Sequence, residues 1–247
     1  MSRNELTALG LLLAAFIGGA ALAAAGGESK VPWYISRASG VGAFVALSLS
    51  VILGLLTSMR LALPGLARAF NYEIHGFVSV LGLTLVGVHG GALLFDSWFH
   101  FTPAHLLIPF IAPYEPLWTG LGTMAAWGMA VVTASFWMRR WIGQRTWRRL
   151  HYVSFGVYLL GFFHGVFGGT DTGSLPVALL YAASIATVAS LLALRIMVRT
   201  ERAARPGEAE LPPVARSAPA AAPLWFGRAD AAADGQGATN SWNRPGS

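Results

Sequence analysis

The chain has 247 residues, 55% hydrophobic and 11% charged, with a formal net charge of +6 and no cysteine. Apolar residues in long uninterrupted runs indicate an integral membrane protein. The missing thiols exclude disulfides, cysteine-ligated iron–sulfur clusters, covalent c-type haem attachment and thiol catalysis.

Six membrane spans are predicted. Residues 6–25 form an Ala-rich apolar run behind Arg3. Its length suits a retained helix, with a cleaved signal peptide as the alternative. The second span covers residues 33–59, with Arg37 near its start. The third, 71–95, carries His75 and His89 and has no Asp, Glu, Lys or Arg from Ile74 to Phe95. Ionisable groups at membrane depth are costly, so a functional role is the default reading. Fourteen residues on a regular helix leave the two side chains about 40° apart around the axis and about 21 Å apart along it.

The segment that follows, DSWFHFTPAHLLIPFIAPYEP, is aromatic and rich in proline. It is expected to lie in the interface as a short or re-entrant piece, with Trp98, Phe99 and Phe101 at headgroup level. The fourth span is 117–138. The fifth, 147–168, is uncharged after Arg149 and holds His151 and His164. The sixth is 175–198. From 199 onward Ala, Pro, Gly and Arg predict a disordered tail. The chain thus divides into residues 1–32, a membrane domain at 33–198 and a tail at 199–247.

Basic residues orient these spans. Arg60 and Arg68 lie between spans two and three; Arg139, Arg140, Arg145, Arg148 and Arg149 lie between four and five; Arg195, Arg199, Arg202 and Arg205 follow or end span six. Residues 95–117 and 168–175 contain neither Lys nor Arg. The positive-inside rule then puts both termini in the cytoplasm of a multi-pass protein of a bacterial inner membrane. The basic balance is topology, not a nucleic-acid footprint.

In this orientation spans three and five are parallel. His75 and His151 share one depth, and His89 and His164 the other. Two facing imidazoles suit the axial positions of a haem iron. Two b-type haems are therefore expected, one between His75 and His151 and one between His89 and His164. One angle opposes this. Thirteen residues separate His151 from His164, which leaves about 140° between them on a regular helix. Either they project from different sides, or the helix is distorted, with Gly156 and Gly161 as the places for a kink.

Ser79 and Ser154 lie where a hydroxyl can reach the second ring nitrogen of His75 or His151, or a backbone carbonyl instead. Arg37, Arg68 and Arg149 are candidate partners of haem propionates. Interfacial anchoring is the plainer reading for Arg68 and Arg149, and the two readings are balanced for Arg37. His100 and His105, with Asp96 and Glu115, are a weak candidate for a metal or acceptor site. Trp118, Trp127, Tyr152 and Tyr158 read as packing or interfacial residues.

At these residues the chain resembles the ferric reductase-like transmembrane domain family. That family includes the membrane portion of NADPH oxidases and ferric reductases, and the haem subunit of bacterial methionine sulfoxide reductase systems. The shared pattern is a histidine pair fourteen apart, then a pair thirteen apart two helices later. Softer likenesses are RASG at 37–40, LLIPF at 106–110, YEPLW at 114–118, WRRLHY at 147–152 and HGVFGGTDT at 164–172. The resemblance spans roughly residues 33–198 and implies bis-histidine haem ligation.

NADPH oxidases and ferric reductases continue into flavin and nicotinamide domains. Here about 49 residues follow the sixth span, too few for such domains. Electrons are therefore expected from a separate flavoprotein or from quinol in the membrane. The expected activity is transmembrane electron transfer to an outer acceptor or redox partner, a haem-dependent membrane oxidoreductase. The alternatives are a non-enzymatic haem anchor serving a separate catalytic protein, and a haem-free proton-coupled transporter.

Overall fold

The computed structural model describes residues 14, 18, 30–59 and 68–204. The predicted first span at 6–25, except Ala14 and Gly18, and the tail beyond 204 lie outside the described residues. Those described are helical, joined by turns, with no strand among them. The helices are α1 (Val31–Ser58), α2 (Arg68–Leu93), α3 (Pro103–Leu107), α4 (Pro116–Ile142), α5 (Gln144–His151), α6 (Val153–Gly168) and α7 (Leu175–Ala204).

Among the described residues, five stretches are long and apolar enough to cross a membrane: Val31–Ser58, Asn71–Leu93, Pro116–Ile142, Gln144–Gly168 and Leu175–Glu201. The chain is accordingly a multi-pass, all-helical membrane protein.

Local chemistry sets the helix ends. Proline stands in the first turn of α1, α3 and α4, where its missing N–H removes no intrahelical bond. Gly143, at φ 77°, separates α4 from α5, a conformation that favours glycine.

The pairs α1/α2, α4/α6 and α6/α7 run antiparallel. On α1 and α2, Ser36 meets His89 and Ser50 meets His75. On α4 and α6, Trp118 meets His164. On α6 and α7, Tyr158 meets Ser184. α2 runs parallel to the stretch formed by α5 and α6, since His75 meets His151 and His89 meets His164.

Lipid supplies no hydrophobic drive between helices, so small residues and close packing must hold them. A Cβ on Gly82 of α2 would lie 2.7 Å from Met129 Cε of α4 and 3.2 Å from Ala46 Cβ of α1. The buried core gathers Phe44, Val51 and Leu55 of α1 around Tyr158 of α6 and Tyr181 and Val188 of α7.

The fifth predicted span is not one regular helix. It breaks at Tyr152, whose N–H is shared between the Arg148 and Arg149 carbonyls, and Phe155 N then bonds Tyr152 O at 3.2 Å. These three-residue closures tighten the chain at the joint. The irregularity falls at Tyr152, not at Gly156 or Gly161.

Candidate cofactor-binding site

Four imidazoles meet in two pairs. The rings of His75 (α2) and His151 (α5) have centroids 6.0 Å apart at 75°; those of His89 (α2) and His164 (α6) are 6.0 Å apart at 71°. The 140° objection presumed a single helix. His151 and His164 stand on separate helices, α5 and α6, joined at Tyr152.

Three of the rings are held in the same way. His75 Nδ1 lies 2.9 Å from the Ser50 carbonyl oxygen, His89 Nδ1 2.8 Å from that of Ser36, and His164 Nδ1 2.9 Å from that of Trp118. A carbonyl only accepts, so Nδ1 carries the proton and donates. Nε2 is then the unprotonated nitrogen, with its lone pair free to bind a metal.

Each carbonyl has a glycine four residues further on: Ser36 with Gly40, Ser50 with Gly54, Trp118 with Gly122. The carbonyl of a helical residue points toward the N–H four residues later. An imidazole reaching that oxygen from the side passes over this later residue. A Cβ on Gly40 would lie 2.8 Å from His89 Nδ1, and one on Gly122 2.6 Å from His164 Nδ1. At Gly54 the clearance to His75 is a normal 3.4 Å.

His151 differs. Its Nδ1 is buried and has no hydrogen-bond partner among the described residues. The ring stacks instead on Trp147, one turn earlier, at 5.1 Å and 26°.

The two serines behave otherwise than a ring contact requires. Ser79 donates to the His75 carbonyl at 2.7 Å and meets Ser50 Oγ at 2.7 Å, so it reaches the ring's neighbour and not the ring. Ser154 does not reach His151 Nδ1, which stays unpartnered.

The His89/His164 pair faces a cavity of about 390 Å³, within the range of small-molecule and cofactor pockets. Glycines 40, 90, 122 and 161 line it, so four helices, α1, α2, α4 and α6, present bare backbone to one space. The segment after α2 folds over it. Phe99 and Phe101 are lining residues, and Phe101 is buried at 7% exposure. Phe101 thus turns inward against the helices, whereas Trp98, 81% exposed, points away from them.

Arg37 lines the same cavity and forms an ion pair with Asp171, its Nε lying 2.8 Å from Oδ2. Trp33 lies under the guanidinium, 5.9 Å from its carbon. Asp171 was silent in the sequence, because a single acid in a short loop carries no spacing signal. Arg149 is exposed at the arginine-rich end, and the side chain of Arg68 lies outside the described residues.

The other candidates do not assemble. Asp96 Oδ2 accepts the N–H groups of Trp98 and Phe99, and His105 Nδ1 accepts that of Thr102. No group of three or more His, Cys, Asp or Glu side chains that could hold a metal ion occurs among the described residues. Trp118 stacks on Phe167 at 4.4 Å, Trp127 Nε1 donates to the Leu107 carbonyl, and Tyr158 is buried in the core.

No family model, curated protein or solved structure matches the chain.

Proposed function

We propose that the two histidine pairs hold two b-type haems, and that the protein passes electrons between them across a bacterial inner membrane. The observation that carries this is the 6.0 Å separation of each ring pair. Two imidazoles bound through Nε2 to one first-row metal, at about 2 Å each, have ring centres about 6 Å apart.

A histidine pair falls short of the three or four protein ligands that zinc takes. Iron in a porphyrin already has four nitrogens and needs only the two axial ones. The glycine-lined cavity beside His89 and His164 fits a flat macrocycle, since bare backbone allows close approach.

In this reading His75 and His151 hold one haem near the arginine-rich end, and His89 and His164 hold the other. The bound haems supply one-electron redox chemistry. The protein's part is to fix the ligands and shield them. Ser36, Ser50 and Trp118 carbonyls orient three imidazoles and strengthen their Nε2 donors. Two imidazoles at each site would favour electron transfer over oxygen chemistry at the metal. Arg37, at the cavity wall, is placed to pair with an anionic propionate in competition with Asp171.

The arginine-rich end is read as cytoplasmic, with both termini there. A separate flavoprotein or membrane quinol is the proposed donor, and an outer acceptor or redox partner takes the electron. A reduced-minus-oxidised visible spectrum of the purified protein, with pyridine extraction, should give a b-type signal and two haems per chain. A colourless protein from haem-replete cells would refute the reading and leave the haem-free transporter standing.

A further inference from the structure

We infer that His151 is the exchangeable ligand of the four, so that the His75/His151 site opens to a small neutral ligand such as carbon monoxide while the His89/His164 site stays closed. This rests on the haem reading above.

Three independent features single out His151. First, His75, His89 and His164 each donate Nδ1–H to a main-chain carbonyl, whereas the buried Nδ1 of His151 meets no acceptor among the described residues. Such partners fix the ring and raise its basicity, and losing one typically weakens metal affinity about 10–100-fold. Second, the other three histidines stand inside continuous helices, but His151 is the last residue of α5, against the joint at Tyr152. Third, its support is the indole of Trp147, whose own Nε1 is also buried without a partner among the described residues. A stacked face resists displacement weakly and does not set the ring's rotation.

Binding of carbon monoxide would break the bond from iron to His151 Nε2 and form one from iron to carbon. No electron is transferred and no proton moves. The freed imidazole remains beside Trp147, ready to return.

The test adds carbon monoxide to the dithionite-reduced full-length protein in detergent. Visible spectra give the amplitude, stopped flow gives the rate, and pyridine extraction counts the haems. In the unaltered protein one of the two haems should convert. Trp147→Ala should speed conversion roughly five-fold, the equivalent of a lost ring stack. Trp147→Phe, which keeps a stacked ring, should match the unaltered rate. Trp147→Glu puts a carboxylate one turn before His151. There it can accept from Nδ1, and it should slow conversion. Loss of one haem in Trp147→Ala with both retained in Trp147→Phe would equally mark His151 as the weak ligand.

Two results would overturn the inference: no conversion although two haems are counted, or the same amplitude and rate in all four proteins. Absence of any b-type spectrum is a different failure, that of the haem reading itself.

Discussion

Gly40 lies directly against the ring of His89: a Cβ built on it would stand 2.8 Å from Nδ1. The relation recurs at Gly122 and His164, at 2.6 Å, and relaxes at Gly54 and His75, at 3.4 Å. Distances under 3.0 Å force something to shift, and here it is a ring already tied to a carbonyl. Overpacking of this kind costs about 1–3 kcal/mol. Gly40→Ala and Gly122→Ala should therefore loosen the haem proposed for the His89/His164 site and lower the thermal midpoint. Gly54→Ala should leave both near the unaltered values. Haem-to-protein ratios and melting curves in one detergent decide it, and equal effects from all three would remove the glycine's role.

The same relation shows how far the sequence could be read. The four histidines and their pairing were legible, because ionisable residues inside apolar runs are few and helix rise fixes their depth. The carbonyls that hold them were not, since a main-chain oxygen leaves no side-chain mark. One trace existed: Ser36 and Gly40 recur as Ser50 and Gly54, fourteen residues on, the same step as His75 to His89 on the antiparallel helix. The break at Tyr152 had no Pro or Gly beside it to announce it. That Phe101 covers a cavity was not legible either, because aromatic residues beside a span read alike whether they face outward or fold inward.

Each histidine should report on its own pair. His89→Ala and His164→Ala are expected to remove mainly the haem at the cavity, and His75→Ala and His151→Ala mainly the other. Within the second pair, His75→Ala should do more harm than His151→Ala, because His75 is anchored at Ser50 and His151 is not. Pyridine-extracted haem per chain, falling from two toward one, is the measurement. Full occupancy in all four variants would refute the ligand assignment.

Arg37 and Asp171 form an ion pair whose side chains are 35% and 26% exposed. A pair so placed lies between the exposed and buried extremes, so a coupling of about 1 kcal/mol is expected. A double-mutant cycle with Arg37→Ala and Asp171→Ala, read by melting, measures it. The proposed propionate contact separates the partners further. Arg37→Ala should shift the midpoint potential of one haem, whereas Asp171→Asn should shift it less. Identical shifts would leave Arg37 a purely structural role.

A chain of hydroxyls ties α1, α6 and α7 together on the face of α1 that packs against the core. Ser48 donates to the Phe44 carbonyl at 2.8 Å, and Ser184 donates to Ser48 Oγ at 2.9 Å. Each hydroxyl has one proton, so Tyr158, 2.7 Å from Ser184 Oγ, must be the donor at the end of the chain. Tyr158→Phe removes that last donor and orphans nothing, at a cost of about 1 kcal/mol. Ser184→Ala instead strands the hydroxyl of Tyr158, a residue only 1% exposed, and should cost more, about 1–3 kcal/mol. Adding Tyr158→Phe to Ser184→Ala should then recover most of the difference, because the stranded group is gone. Melting of the holoprotein in detergent gives the order. If Ser184→Ala proves no worse than Tyr158→Phe, the donor direction assigned here is wrong.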